Sequence, residues 1–250
     1  MPRNIVPVAQ TPLMAVGANG ARGSMNTTTA SCFSRQAWER NAPAYEAIRN
    51  MPFNNELAAG VLDGARFKHY ITQDAHYLIG FGRALALSAA KAPHPDRIAQ
   101  FAKAAEVAIV VERALHGSFF AQFGITPKIF AETPLSPACH HYVSFLLATA
   151  YAEPYEVVLG ALLPCFWIYA EVGRDIHSRA AQSNPYQAWI DTYAGEEFHI
   201  AVRAVIEATD EAADPASANI RGRMHAAYTR ATQLEWLFWD SGYRLETWPI

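Results

Sequence analysis

The sequence predicts an all-α domain, and three observations carry that prediction. Phe67, Tyr70, Ile71, Asp74, Tyr77, Leu78, Phe81 and Leu85 recur at the 3.6-residue period of a helix. No stretch between turn signals alternates strictly in the manner of a strand. Hydrophobic residues make up 51 % of the 250 and charged residues only 17 %, the balance of a chain that buries one large core.

Each element follows from local signals. Ser34 is the expected N-cap of a first helix carrying Trp38, Ala42, Tyr45 and Ile48, which Pro43 bends or interrupts. A short helix at 55–62 ends at Asp63-Gly64. The periodic stripe marks a helix at 65–91; Pro93 and Pro95 then separate it from a helix at 96–123, closed by Gly124. A proline-bearing connection (Pro127, Pro134, Pro137) leads to a helix at 138–151. In the next helix, at 154–173, Pro164 is expected to produce a kink that sets Cys165 on the inside of the bend, with Gly160 relieving the crowding. Pro185 opens a helix to Tyr193, Gly195 separates it from one at 196–214, and Pro215 precedes the last, at 216–243. The domain therefore spans residues 32–250. Residues 1–31, broken by prolines and glycines, read as a disordered N-terminal extension, with Met25 as an alternative start.

A net charge of −3 provides no electrostatic footprint for nucleic acid or an anionic membrane. No apolar run reaches the roughly 18 residues of a membrane span. A small-molecule or protein partner is the expectation. Cys32, Cys139 and Cys165 are an odd set without CxxC spacing, which points to free thiols in a reducing compartment.

Three groups stand out as chemistry. Asp74 lies in the middle of an apolar helical face, and Glu235 shares a face with Tyr228, Thr232, Phe238 and Trp239. Burying an ionised carboxylate costs several kcal/mol unless it is paired or put to use. Cys165 sits in the apolar run Leu162-Leu163-Pro164-Cys165-Phe166-Trp167, where a thiol is ordinarily core filling. Together they suit catalysis: an acid in an apolar pocket is a general acid near neutral pH, and a thiol beside it is a nucleophile. Tyr142 and Tyr193 offer phenols to a flat polar ring, and Tyr77 and Phe238 its walls. Two rivals of other classes are a non-catalytic binding or scaffold protein and a metal site. The metal site would use Glu196 and His199 of Glu196-Glu197-Phe198-His199, helped by Glu112 and His116. Against it, acids in the first turn of a helix are what the macrodipole favours.

Five segments then follow one another in a recognisable order: Gln73-Asp74-Ala75-His76-Tyr77-Leu78, Ala161 to Trp167, Tyr169-Ala170-Glu171-Val172-Gly173, Trp189 to Gly195, and Glu235-Trp236-Leu237-Phe238-Trp239-Asp240. From about residue 33 to 248 the chain resembles the TenA family (thiaminase II), in its cysteine-containing branch. The resemblance implies a haem-oxygenase-like helical bundle that needs no cofactor or metal. It also implies hydrolysis of 4-amino-5-aminomethyl-2-methylpyrimidine, or less readily thiamin, to the hydroxymethylpyrimidine of thiamin salvage. By motif, Cys165 is the nucleophile and Glu235 the acid/base; Asp74, Tyr77, Tyr142, Tyr193 and Phe238 hold the substrate. A cytoplasmic homotetramer is the implied assembly. Within the same fold, a di-iron or haem-binding oxidase and a regulatory pyrimidine-binding protein are the alternatives. His76 and Ala194 depart from the family's usual residues and bear on substrate preference.

Overall fold

The computed structural model describes residues 32–250, so the disorder expected for residues 1–31 falls outside the described residues. Among those described, ten α-helices and no strands make up the fold. They are α1 (Phe33–Arg49), α2 (Pro52–Ala58), α3 (Gly64–Lys91), α4 (Pro95–Phe123), α5 (Pro127–Glu132), α6 (Pro137–Ala152), α7 (Tyr155–Arg179), α8 (Gln187–Ala194), α9 (Glu196–Ala213) and α10 (Ala218–Arg244).

The bundle is built around α7. Its residues from Val157 to Phe166 are all buried, and α10, α9, α8, α6 and α3 pack around it. A helix that is apolar on every side belongs in a core. Contrary to the expectation from the sequence, an 18-residue window of α7 is long and apolar enough to cross a membrane by composition alone, but 83 % of that window is buried inside the bundle. The helix continues through Pro164 to Arg179, beyond the end expected at residue 173. Gly160 has a role that the sequence did not show. A Cβ at this position would lie 2.7 Å from the carbonyl oxygen of Met224, so the glycine lets the backbone of α10 approach α7 closely. Gly173 does the same for α8, where a Cβ would lie 2.8 Å from the Cβ of Tyr193.

Other boundaries differ for local reasons. Ser34 is not the N-cap of α1: Cys32 occupies that position without a side-chain bond. The Ser34 amide and hydroxyl instead donate to Oδ1 and Oδ2 of Asp210, both at 2.7 Å, so a carboxylate of α9 caps α1 from outside. Pro43 lies inside α1 without ending it. Asp63 does not close α2, which ends at Ala58; its side chain caps α3 by accepting from the amides of Ala65 and Arg66. Within the connection expected after Gly124, α5 forms a short extra helix capped by Thr126. Gly124 takes the left-handed conformation (φ 65°) that closes α4, as its position predicts.

Candidate active site

Asp74 and Tyr77 come from α3, Tyr142 from α6, Cys165 and Tyr169 from α7, Tyr193 from α8 and Glu235 from α10. Each lies on the inward stripe of its helix, so the apolar periodicity that builds the core also aims the polar groups inward. Asp74 is 1 % exposed, Cys165 7 % and Glu235 0 %.

Three of these groups form a hydrogen-bonded chain. The Tyr142 hydroxyl donates to Glu235 Oε1 at 2.7 Å and lies 3.0 Å from Cys165 Sγ. Tyr142 has a single hydroxyl proton and gives it to Glu235, so Cys165 is the donor in the other contact. The thiol is thereby linked through one phenol to a carboxyl group. Burial, opposed by the Tyr142 bond and helped by the charge of Asp74, pushes the Glu235 carboxyl up to about 8. At neutral pH the group is a neutral acid. Its Oε1 accepts from Tyr142 while Oε2, also buried, has no hydrogen-bond partner. Burial, followed by the nearby Glu235, also raises the Cys165 thiol far above its ordinary value. The resting chain therefore holds a thiol and a carboxylic acid, both protonated. The Tyr77 hydroxyl stands beside Cys165 and Tyr142 but makes no hydrogen bond of normal geometry.

Cys165 opens onto a cavity of about 270 Å³ whose deep end is lined by Asp74, Tyr77, Tyr169 and Tyr193. Asp74, Tyr77, Cys165 and Tyr193 thus share one wall, as their motifs suggest. Tyr142 and Glu235 do not reach the lining; they stand directly behind Cys165. Phe238 is not on the lining either. It packs on the far side of Tyr77, with ring centroids 5.5 Å apart, and supports that wall.

Tyr169 is a lining residue to which the sequence assigned no role. It lies four residues after Cys165, hence on the same helical face, and its hydroxyl is 3.3 Å from that of Tyr70. That spacing is the signal by which it could have been found. Cys139, the other buried thiol, donates to the Gln73 carbonyl at 3.4 Å and is not on the cavity. His76 stacks on Phe130 of α5 at 4.1 Å and faces away from the lining, so its departure from the family pattern affects α5 packing and leaves the cavity wall untouched.

Of the alternative metal set, Glu196 and His199 are engaged by arginines. Glu196 Oε1 accepts from Arg203 at 2.6 Å, and His199 Nδ1 lies 3.0 Å from Arg174 Nη2. Burial and then that guanidinium hold the His199 imidazole below its usual range. Among the described residues no three His, Cys, Asp or Glu side chains cluster as metal ligands. The side chains of Glu112 and His116 lie outside the described residues.

The sequence profile of the TENA/THI-4/PQQC family matches residues 38–245. The chain belongs to this family. An aminopyrimidine aminohydrolase of Bacillus subtilis is 30 % identical over 216 residues, which cover 86 % of this chain and 92 % of that one. The thiamine biosynthesis multifunctional protein ThiED of Corynebacterium glutamicum is 34 % identical over 212 residues, 85 % of this chain. This chain spans only 27 % of the length of that protein. Among solved structures, a TenA homologue from P. horikoshii OT3 superposes with a TM-score of 0.78 at 27 % identity, over 86 % of this chain and 99 % of that one. A Shewanella denitrificans domain with a haem-oxygenase-like fold superposes with a TM-score of 0.67 at 16 % identity, over 85 % and 92 % of the two chains. The fold of this TenA-type chain is the all-helical, haem-oxygenase-like one.

Proposed function

We propose that the protein is an aminopyrimidine aminohydrolase of thiamin metabolism. It would convert 4-amino-5-aminomethyl-2-methylpyrimidine and water to the 5-hydroxymethyl compound and ammonia, with thiamin as a second substrate. The observation that carries this reading is the Cys165–Tyr142–Glu235 chain, which ends at a cavity holding Asp74 and three tyrosines. Family membership supports the same reading.

The proton positions suit a reaction with no free charge at its start. Cys165 adds to the electron-poor pyrimidine, and the electron pair passes through the ring to expel the exocyclic nitrogen. As the thiol proton moves through Tyr142 to Glu235 Oε1, the carboxyl group gives up its own proton, which is relayed to the departing amine because Glu235 itself stands behind the cavity wall. The carboxyl stays neutral throughout, which fits its burial. Water then adds to the exocyclic carbon, and its proton returns along the same path to the sulfur as the C–S bond breaks. Asp74 holds the amidine-like edge of the ring. Tyr77, Tyr169 and Tyr193 enclose it, with Phe238 behind Tyr77. Cys165→Ser should lower turnover by roughly a hundredfold or more and still bind the product; near-normal turnover would remove Cys165 from its assigned role. Ammonia release from the aminomethylpyrimidine is the direct assay, and no turnover of either substrate would overturn the reading.

A homotetramer in the cytoplasm completes this proposal. Light scattering on the purified chain reports the assembly, and a monomer would refute that part alone.

A further inference from the structure

The cavity is built in two halves that differ in chemistry. Its deep half carries the hydrogen-bonding groups, all on buried residues: Asp74, Tyr77, Cys165, Tyr169 and Tyr193. Its outer half runs between α4 and α9 to a mouth where Val107 is 38 % exposed. Ala104 and Ala108 of α4 face this half, as do Ala201, Ala204 and Val205 of α9. Four alanines at helical spacing leave the room that larger side chains would fill. A pyrimidine and its free amine are satisfied by the deep half alone, and an ammonia leaving group makes no use of the outer walls.

The outer half also favours uncharged groups. No carboxylate lines it, and its single cation, Lys103, stands at the rim paired with Glu106 at 3.0 Å. A cationic substituent, such as the thiazolium of thiamin, is desolvated there without a counter-charge, which makes thiamin the weaker substrate, whereas an uncharged chain avoids that cost. One polar group at this wall has a use for substrate. Gln100 has its Oε1 fixed by Arg97 at 2.6 Å, and its Nε2 is buried with no hydrogen-bond partner, a donor suited to a carbonyl oxygen.

We propose that the outer half is a leaving-group subsite for uncharged, apolar acyl chains carried on the departing nitrogen, a substrate class that rests on the aminohydrolase reading. The reaction takes an N-acylaminomethylpyrimidine and water to the hydroxymethylpyrimidine and a primary carboxamide. The methylene C–N bond breaks and a C–O bond to the water oxygen forms. A proton from the Cys165–Tyr142–Glu235 chain ends on the departing amide nitrogen, one water hydrogen restores the thiol through that chain, and the other remains on the product hydroxyl.

The test is a series of N-acetyl, N-butanoyl and N-hexanoyl derivatives of the aminomethylpyrimidine. Turnover is measured on the full wild-type chain, and affinity on Cys165→Ser, which reads the subsite whether or not the chemistry runs. Affinity and kcat/KM should rise by about fourfold per added methylene. Ala204→Leu should flatten that slope, and Ala104→Leu on the facing helix gives the same readout if α9 does not tolerate the first change. A flat affinity series, or a slope unchanged in both variants, overturns the subsite. If the unsubstituted amine is hydrolysed while the series stays flat, the subsite falls and the aminohydrolase reading stands. If nothing is hydrolysed but the affinity slope appears and Ala204→Leu removes it, the subsite stands and the aminohydrolase reading falls.

Discussion

Glu235 and Glu196 are both glutamates near a hydrogen-bonding partner on a neighbouring turn or helix, yet they do opposite things. Glu196 starts α9 in solvent, with its side chain 73 % exposed, and pairs with Arg203. That bond, together with the charge of Arg203, holds it below the usual carboxylate range. Glu235 lies inside the bundle, bonded to a phenol instead of a cation, and is pushed up to about 8. The difference shows that neither residue type nor spacing sets the protonation of a glutamate. Water and a guanidinium turn one glutamate into a surface anion; a dry aromatic pocket turns the other into a proton donor at neutral pH.

The strongest way to break this contrast is Glu235→Gln, which keeps the shape and removes the proton. Ammonia release should fall by about a hundred- to ten-thousandfold, whereas an effect under threefold would place the acid elsewhere. The same group sets the pH profile. Turnover requires its protonated form and should decline as pH rises through about 8, and a profile level to pH 10 would contradict the assignment.

The same substitution should improve stability. In the unfolded chain Glu235 ionises near the ordinary value of 4.5; in the fold it holds its proton to about 8. Between those values the folded state keeps a proton that the unfolded state has lost, so wild-type stability declines as pH rises through that window. Glu235→Gln should match wild type near pH 4 and exceed it at pH 8, by on the order of a few kcal/mol at most. Urea titrations at both pH values check this, and equal midpoints at pH 8 would show that the acid carries no burial penalty.

Tyr142→Phe sharpens the comparison further by cutting the link between thiol and acid while leaving both in place. Losing one buried hydrogen bond in the transition state corresponds to roughly a ten- to hundredfold drop in kcat. The smallest effect belongs to the exposed partner. Glu196→Gln should change stability by under about 1 kcal/mol and leave turnover alone, because exposed ion pairs contribute little. A thermal shift assay and the ammonia assay together test that, and lost activity would reopen the start of α9 as part of the site.

Much of this was legible from local pattern. The long helices appear where 3.6-residue periodicity and proline or glycine punctuation put them, because those signals act within a few residues of each other. Asp74, Tyr77, Cys165 and Tyr193 were legible as a set because each polar group interrupts an apolar stripe, an expensive arrangement that packing alone does not require. The deviations arise where a distant residue intervenes. Asp210 supplies the cap that Ser34 was expected to make for itself. Gly160 admits the backbone of Met224 from α10, a contact that no local signal announces. Phe238 is an inward aromatic, as its spacing says, but spacing could not tell that Tyr77 stands between it and the cavity.

The sequence by itself determined the helical class, the order of the elements and which polar groups go inward, since periodicity and the cost of burial are written residue by residue. Only the tertiary structure decided that Tyr142 joins Cys165 to Glu235, that the acid keeps its proton, and that the cavity continues past Cys165 between two alanine-lined helices. Hydrogen bonds and desolvation depend on distances between side chains far apart in the chain, and those distances exist only once the helices have packed.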